Sequence, residues 1–247
     1  MYALIIAGGK GERLRPLTDT LPKPMLPLDE KPILWHQIQW LKKAGVTDVI
    51  LLTGHLADTI QKYFGDGADC GVNIHYSYEE TPLGRGGALR QGFAMLPEDE
   101  QSIIATNGDI ITDADLATLV NAHATRSKVK TDHCVTVLTV PMKSPYGIVD
   151  TDTDGVVSGF REKAILPYTI NAGVYVLERD IEHLLPEVGD HETETFPELT
   201  TQGRMFSMQH DTFWRSVDSH KDMREAEEFI VRQRVAGTMS AQRVGKR

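Results

Sequence analysis

The feature that most constrains this chain is its start. A short apolar run, Ala3–Ile6, breaks at once into the segment Gly8–Pro27, GGKGERLRPLTDTLPKPMLP. The apolar run bounded by glycine reads as a buried strand. In open α/β sheets, ligands bind in the loops at the carboxyl ends of such strands. Glycines there let backbone N–H groups approach phosphate oxygens, and a nearby cation adds charge complementarity. Two well-known phosphate loops fail on residues their mechanisms need. A GxGxxG fingerprint would require glycine where Leu14 stands, and a P-loop would require Lys-Ser/Thr where Glu12-Arg13 follow Gly11. What remains is GGxGxR followed by Pro22-Lys23-Pro24, which brings two cations, Arg13 and Lys23, to one glycine loop. Proline on either side of Lys23 restricts the backbone and helps to aim its ammonium. That arrangement suits a triphosphate or a developing pyrophosphate. A glycine turn followed by a solvated basic loop would carry the same residues, so the loop alone leaves both readings open.

The rest of the first half supports the sheet. Strand patterns at Val49–Thr53, Val72–Tyr78 and Ser102–Thr106 alternate with helical patterns at Ile33–Ala44, Ala57–Phe64, Gly86–Met95 and Ala114–Ala124. Short connections in this alternation predict a mainly parallel sheet flanked by helices. After His123 the rhythm changes. Arg126–Asp132 reads as a loop, and Cys134–Val140, Ile148–Asp150, Val156–Phe160 and Asn171–Leu177 read as strands with few helices between them. The TDTDG of Thr151–Gly155 is a turn signal. The second half therefore adds antiparallel strands and a small lobe. Ser219–Val235 reads as a charged helix and Ala236–Arg247 as a loose basic tail. The expected layout is one domain over residues 1–235, with halves at 1–125 and 133–235.

Composition narrows the partners. At a formal net charge of −9 over 247 residues, no nucleic-acid backbone is expected to bind the surface at large, so an anionic ligand must meet a local basic site. The two cysteines lack metal or disulfide spacing, which makes reduced thiols the expectation. The apolar N-terminal run is too short for a signal peptide or membrane span. The expected compartment is the cytoplasm, with no membrane attachment. The histidines show no HExxH or paired spacing, so zinc is not expected.

The loop segment resembles the signature of the sugar-1-phosphate nucleotidyltransferases, GGxGTRLxPLT…PKPMxP, departing chiefly at Glu12. The resemblance continues in order through Lys31-Pro32-Ile33, Gly54, Leu83-Gly84-Arg85-Gly86-Gly87-Ala88-Leu89, Asn107-Gly108-Asp109, Tyr146-Gly147, Glu162-Lys163, Asn171-Ala172-Gly173 and Phe213-Trp214. It implies a Rossmann-like (GT-A type) α/β fold with a mixed, mainly parallel sheet and a small antiparallel sugar-binding lobe. It also implies nucleotidyl transfer from a nucleoside triphosphate to a sugar 1-phosphate, with Mg²⁺. Members often form dimers or tetramers, so a homo-oligomer is expected.

The resemblance gives each motif residue a role. Ala7, Gly8, Gly9 and Gly11 would form the phosphate loop, with Arg13 and Lys23 on the triphosphate. Glu79, Pro82, Gly84 and Asn107 would complete the nucleotide pocket. Gly147, Glu162 and Asn171 would meet the sugar, and Lys163 its phosphate. Asp109 would bind metal, although alone it also reads as a turn residue. The second metal carboxylate is less regular. Many members carry W-x-D, whereas this chain has Trp214-Arg215-Ser216-Val217-Asp218. That spacing resembles the glucose-1-phosphate cytidylyltransferase branch, and on that basis the metal role passes to Asp218, which otherwise reads as a cap of the last helix. Arg85 stands where Thr is common and, apart from the resemblance, reads as an exposed helix-start charge.

The substrate pair expected first is GTP with a mannose-like hexose or heptose 1-phosphate. CTP with glucose 1-phosphate and UTP with an amino-sugar or muramate 1-phosphate are the alternatives. A non-catalytic homologue that senses sugar nucleotides is the rival class; the presence of Arg13, Lys23, Asp109 and Lys163 weighs against it.

Overall fold

In the computed structural model, residues 1–130 and 132–244 are described, with side chains left out beyond Ala236. The chain runs through β1 (Tyr2–Ile6), β2 (Pro27–Leu28), β3 (Lys31–Pro32), α1 (Ile33–Lys43), β4 (Asp48–Thr53), α2 (Ala57–Phe64), β5 (Asn73–Tyr78), α3 (Gly84–Phe93), β6 (Ser102–Asn107) and β7 (Ile110–Thr112). The second half follows with α4 (Leu116–Val129), β8 (Val135–Lys143), β9 (Ile148–Thr151), β10 (Val157–Arg161), β11 (Ile165–Glu178), α5 (Thr195–Thr201), β12 (Met205–Gln209), β13 (Trp214–Ser216) and α6 (His220–Val244).

Seven strands form one sheet in the order β12-β8-β11-β6-β1-β4-β5. Strands β6, β1, β4 and β5 pair in parallel. Strand β11 enters antiparallel to both β6 and β8, and β12 pairs with β8 in parallel. This is the expected mixed, mainly parallel sheet. The period-two alternation of β1 sends Ala3 and Ile5 to one face, among Leu34, Ile38, Val49 and Ile60. Leu4 goes to the other face, among Leu52, Leu89, Phe93 and Ala105. Both faces are covered, as parallel strands require. Burying each such leucine or isoleucine contributes roughly 1.5–3 kcal/mol, so the β1 strand that carries the glycine loop is firmly fixed.

A third cluster anchors the loop itself. Leu14, Leu26, Leu28 and Ile33 pack against Ile111, Val217 and Ala226. The segment after β1 is therefore held on its own small core instead of lying free.

Three expectations need correction. Residues 126–129 belong to α4 instead of a loop, because Ser127 bonds back to His123 and to Glu178 on β11, leaving the neighbouring charges on the helix's outer side. Thr131, inside that expected loop, lies outside the described residues. Strand β11 begins six residues before Asn171, since its early part pairs with the far end of β8. The α6 helix passes the expected end at Val235, and most of the expected loose tail, Ala236–Arg247, lies beyond the described side chains. The β9–β10 pair matches the expected hairpin. Asp152 holds its turn by accepting from the backbone N–H groups of Asp154 and Val156.

Candidate active site

The loops at the carboxyl ends of β1, β5 and β6 converge on a cavity of about 700 Å³. Twelve of the sixteen residues expected at the site line it: Ala7, Gly8, Gly9, Gly11, Arg13, Lys23, Glu79, Pro82, Gly84, Asn107, Asp109 and Asp218. Gly147, Glu162, Lys163 and Asn171 do not line it. Gly147, Glu162 and Lys163 flank the neighbouring β9–β10 pair, where the Glu162 carboxylate lies 3.2 Å from the point a Cβ on Gly147 would occupy, and Asn171 stands on β11 of the main sheet.

The charged centre is built by two short elements that carry no sequence signal. The antiparallel pairing of β7 with β13 aligns Ser216 with Ile110, and the Val217 N–H donates to the Asp109 carbonyl at 2.9 Å. This ladder sets Asp218 beside Asp109. Lys23, on a 3₁₀ turn at Lys23–Met25, places its Nζ 2.6 Å from Asp109 Oδ2 and 2.5 Å from Asp218 Oδ1. Arg13 Nη2 reaches the same Asp218 oxygen at 2.7 Å, and the Ser216 hydroxyl donates to Asp218 Oδ2 at 2.9 Å. Burial alone would raise the Asp218 carboxyl, but Lys23, Ser216 and Arg13 together outweigh it and hold it below the usual range.

Asp218 is not spent on the helix end. Ser219 does that work: its hydroxyl accepts from the Asp222 N–H while donating to the Asp222 carboxylate. Asp222 also accepts from the Asp218 N–H. The Asp218 side chain is thereby free to face the cavity.

The glycines divide by what requires them. Gly11 has φ +64 and backs onto Lys23, whose Cβ lies 2.9 Å from where its own Cβ would be. Gly8 lies under the Glu79 carboxylate at 2.7 Å on the same measure, and Glu79 in turn accepts from the Leu83 N–H. A Cβ on Gly9 would meet nothing within 4 Å. No contact among the described residues demands glycine there, so its backbone is left open to the cavity.

The Gly84–Gly87 run has another explanation. Cβ atoms on Gly84, Gly86 and Gly87 would collide with Gly189, Pro186, His191 or Glu187, all on the connection before α5. These glycines let that connection close over the start of α3. Sequence reasoning assigned nothing to the connection, yet its Asp190 and Glu192 bind Arg85. Arg85 is thus paired and lines the cavity, and the reading of it as an exposed charge is corrected. An Arg opposite an acidic D-H-E-T-E run was the available signal.

Asn171 sits where β11 shifts register against β8, at a bulge whose Gly173 has φ +69. Its amide donates to the Tyr175 hydroxyl and to Glu192 Oε1, and its oxygen accepts from the Gly173 N–H.

Of the residues that line the cavity, Asn107 and Asp109 each keep a buried Oδ1 with no hydrogen-bond partner among the described residues. An orphaned carboxylate oxygen next to two others already gathered around one cation fits a hard divalent ion. Among the described residues no group of three or more His, Cys, Asp and Glu side chains forms a metal cage.

The family model for nucleotidyl transferases matches residues 2–233. The chain belongs to that family. A mannose-1-phosphate guanyltransferase of Debaryomyces hansenii is 36% identical over 231 residues, which are 90% of this chain and 62% of that protein. A mannose-1-phosphate guanylyltransferase of Mycobacterium tuberculosis is 35% identical over 236 residues, 93% of this chain and 64% of that one. The chain therefore spans under two thirds of the length of these relatives. Among solved structures, HddC from Yersinia pseudotuberculosis, complexed with GMP-PN, superposes with a TM-score of 0.73 at 25% identity, covering 93% of this chain and 99% of that one. The Rossmann-like fold expected from the motifs is thus the fold of the family. Among the described residues, no helix is long and apolar enough to cross a membrane.

Proposed function

We propose that this chain transfers a nucleotidyl group from a nucleoside triphosphate to a sugar 1-phosphate, and that its substrates are GTP and a mannose-like 1-phosphate. The observation that carries the reaction class is the convergence of Lys23 and Arg13 on Asp109 and Asp218 at the edge of a glycine-floored cavity. The guanylyl preference rests on the activities of the relatives and on the nucleotide analogue in the superposed structure.

In this reaction an oxygen of the sugar phosphate attacks the α-phosphorus, forming a P–O bond. The bond from that phosphorus to the β-phosphate oxygen breaks in line, and pyrophosphate leaves with the electron pair. Both reactants are anions, so positioning and charge neutralisation supply most of the catalysis. The open backbone at Gly9 takes the phosphates, and Lys23 and Arg13 meet the charge that builds on the leaving pyrophosphate. Glu79, Pro82, Gly84 and Asn107 hold the nucleoside. Gly147, Glu162 and Asn171 face the sugar, and Lys163 its phosphate, across the mouth of the cavity.

Asp109 and Asp218 would hold Mg²⁺, with the remaining ligands coming from substrate phosphates and water. Held there, the ion would supply Lewis-acid charge at the phosphates, and Lys23 would offer its ammonium to the triphosphate. The proposed site of action is the cytoplasm, and the proposed assembly is a homo-oligomer.

The deciding measurement is pyrophosphate release with each of four nucleoside triphosphates against a panel of sugar 1-phosphates, with Mg²⁺ and with EDTA. Turnover is expected with Mg²⁺, greatest for GTP and mannose 1-phosphate, and none with EDTA. A preference for CTP with glucose 1-phosphate, or for UTP with an amino sugar, would move the specificity and keep the class. Nucleotide binding without release for any pair would overturn the catalytic reading in favour of a sensor.

A further inference from the structure

Arg85 joins two parts of the chain that sequence places far apart. It stands on the first turn of α3 and lines the nucleotide cavity. Its Nε and Nη2 donate to Asp190 Oδ2 at 2.8 and 2.6 Å, and Nη2 lies 2.8 Å from Glu192 Oε2. The other Glu192 oxygen accepts from the Tyr175 hydroxyl at 2.8 Å and from the Asn171 amide at 3.0 Å. Tyr175 is fully buried, so its hydroxyl fixes where that carboxylate can sit. The Glu192 N–H donates to Asp190 Oδ1, which locks the two acids into one turn.

The inventory of this network is informative. Both amide hydrogens of Asn171 are used within the chain, and Glu192 Oε1 already accepts twice. Asn171 therefore points where Glu192 lets it, and Glu192 stays only while a cation offsets two neighbouring carboxylates. A planar guanidinium with several donors meets both acids at once, whereas a lysine ammonium lacks that fork.

We propose that Arg85 is a positioning residue for the sugar 1-phosphate: by tethering Asp190 and Glu192 to α3, it sets the pose of Asn171 and so the fit of the sugar beside the nucleotide cavity. This rests on the nucleotidyl-transfer reading above. Arg85 acts through Glu192, and it reads the nucleotide end only as a neighbour.

The test measures KM for each substrate separately in the full chain carrying Arg85→Ala, Arg85→Lys, Glu192→Gln, or Arg85→Ala with Glu192→Gln. Arg85→Ala should raise KM for the sugar 1-phosphate about tenfold or more while KM for the triphosphate moves less than about twofold. Arg85→Lys should recover part of that loss. The double variant should lose less than the product of the single losses, because removing the acid relieves the charge that Arg85 was neutralising. Equal shifts in both KM values, no shift in either, or multiplicative losses in a folded double variant would overturn the proposal alone. Absence of turnover in the unaltered chain with every substrate pair would instead overturn the reading on which it rests.

Discussion

The two ends of the site are held by different physics. At the proposed phosphate end, Lys23 stands within hydrogen-bond reach of Asp109 and Asp218, on a loop fastened by its own buried cluster of Leu14, Leu26 and Leu28. At the sugar end, the lobe around β9 and β10 has little behind it: Tyr146, Val149, Val157, Phe160, Ile165 and Tyr168 are all exposed. Gly147 and Glu162 ride on that lobe, and only Asn171 is tied into the main sheet. On the proposed reading, the charge-neutralising machinery is thus built in advance, while recognition of the sugar is left to a thinly supported surface and one polar network. A family that keeps its reaction and changes its sugar needs this division.

The sharpest way to break the contrast is Lys23→Met. If the phosphate end is preorganised by charge, removing the cation between two carboxylates should lower kcat roughly 10²–10³-fold, as for loss of one transition-state donor. The same change should leave the affinity for sugar 1-phosphate close to its starting value. An effect confined to KM for the sugar would dissolve the distinction between the ends. Arg13→Ala should cost less, since that side chain is 75% exposed and solvent screens it.

The sugar end has its own vulnerability, in acid. His191 is fully buried against Tyr175 and Phe196, and neither ring nitrogen has a hydrogen-bond partner. Burial pushes its imidazole down to about 4, against a weaker upward pull from Glu192 and Asp190. The unfolded chain takes up this proton near the ordinary value of about 6.5, so it binds more protons than the folded chain between the two values. The contribution is fully present above about pH 6.5 and is lost as pH falls towards 4, amounting to about 3 kcal/mol. Denaturant midpoints across pH 7 to 4 should show this slope, and His191→Phe should flatten it. An unchanged slope in that variant would remove His191 as the acid-sensitive point of the sugar side.

The two ends also differ in how legible they were. The phosphate end is local in sequence: Gly8, Gly11, Arg13 and Lys23 fall within sixteen residues, and the elements flanking them have clear periodicity. The sugar end is assembled from Arg85, Asn171, Tyr175 and Glu192, which meet only through folding. Strands β7 and β13 are too short for a period of two to register, yet they bring Asp218 to Asp109. The glycines of Gly84–Gly87 carry a double demand, since their smallness answers to packing against Gly189 and Pro186 as much as to any ligand. Motif and mechanism are hard to separate when both ask for the same residue type.

Gly9 offers a finer comparison within the phosphate end itself. Gly9→Ala places a methyl group where the chain has open space, at a backbone conformation that other residues adopt. Stability should therefore stay within about 0.5 kcal/mol, while KM for the triphosphate should rise about tenfold if phosphate oxygens approach that backbone. Gly11→Ala, by contrast, strains φ +64 and presses on Lys23, so it should lower both Tm and kcat. Equal Tm losses for the two would mean that Gly9, too, serves the fold.

The smallest effect expected is at Ser216, and it tests which residue of the Trp214–Asp218 segment does the work. Its hydroxyl only steadies one oxygen of Asp218, whose other oxygen is held by Lys23 and Arg13. Loss of one neutral hydrogen bond to a carboxylate that keeps two cationic partners should cost about 0.5–1.5 kcal/mol at most, so Ser216→Ala should slow turnover by no more than about tenfold. Asp218→Ala should cost well over tenfold, because it also leaves Lys23 with Asp109 alone. If Ser216→Asp raised activity while Asp218→Ala did nothing, the carboxylate that matters would belong two residues earlier, and the phosphate end would be less completely built in advance than its geometry indicates.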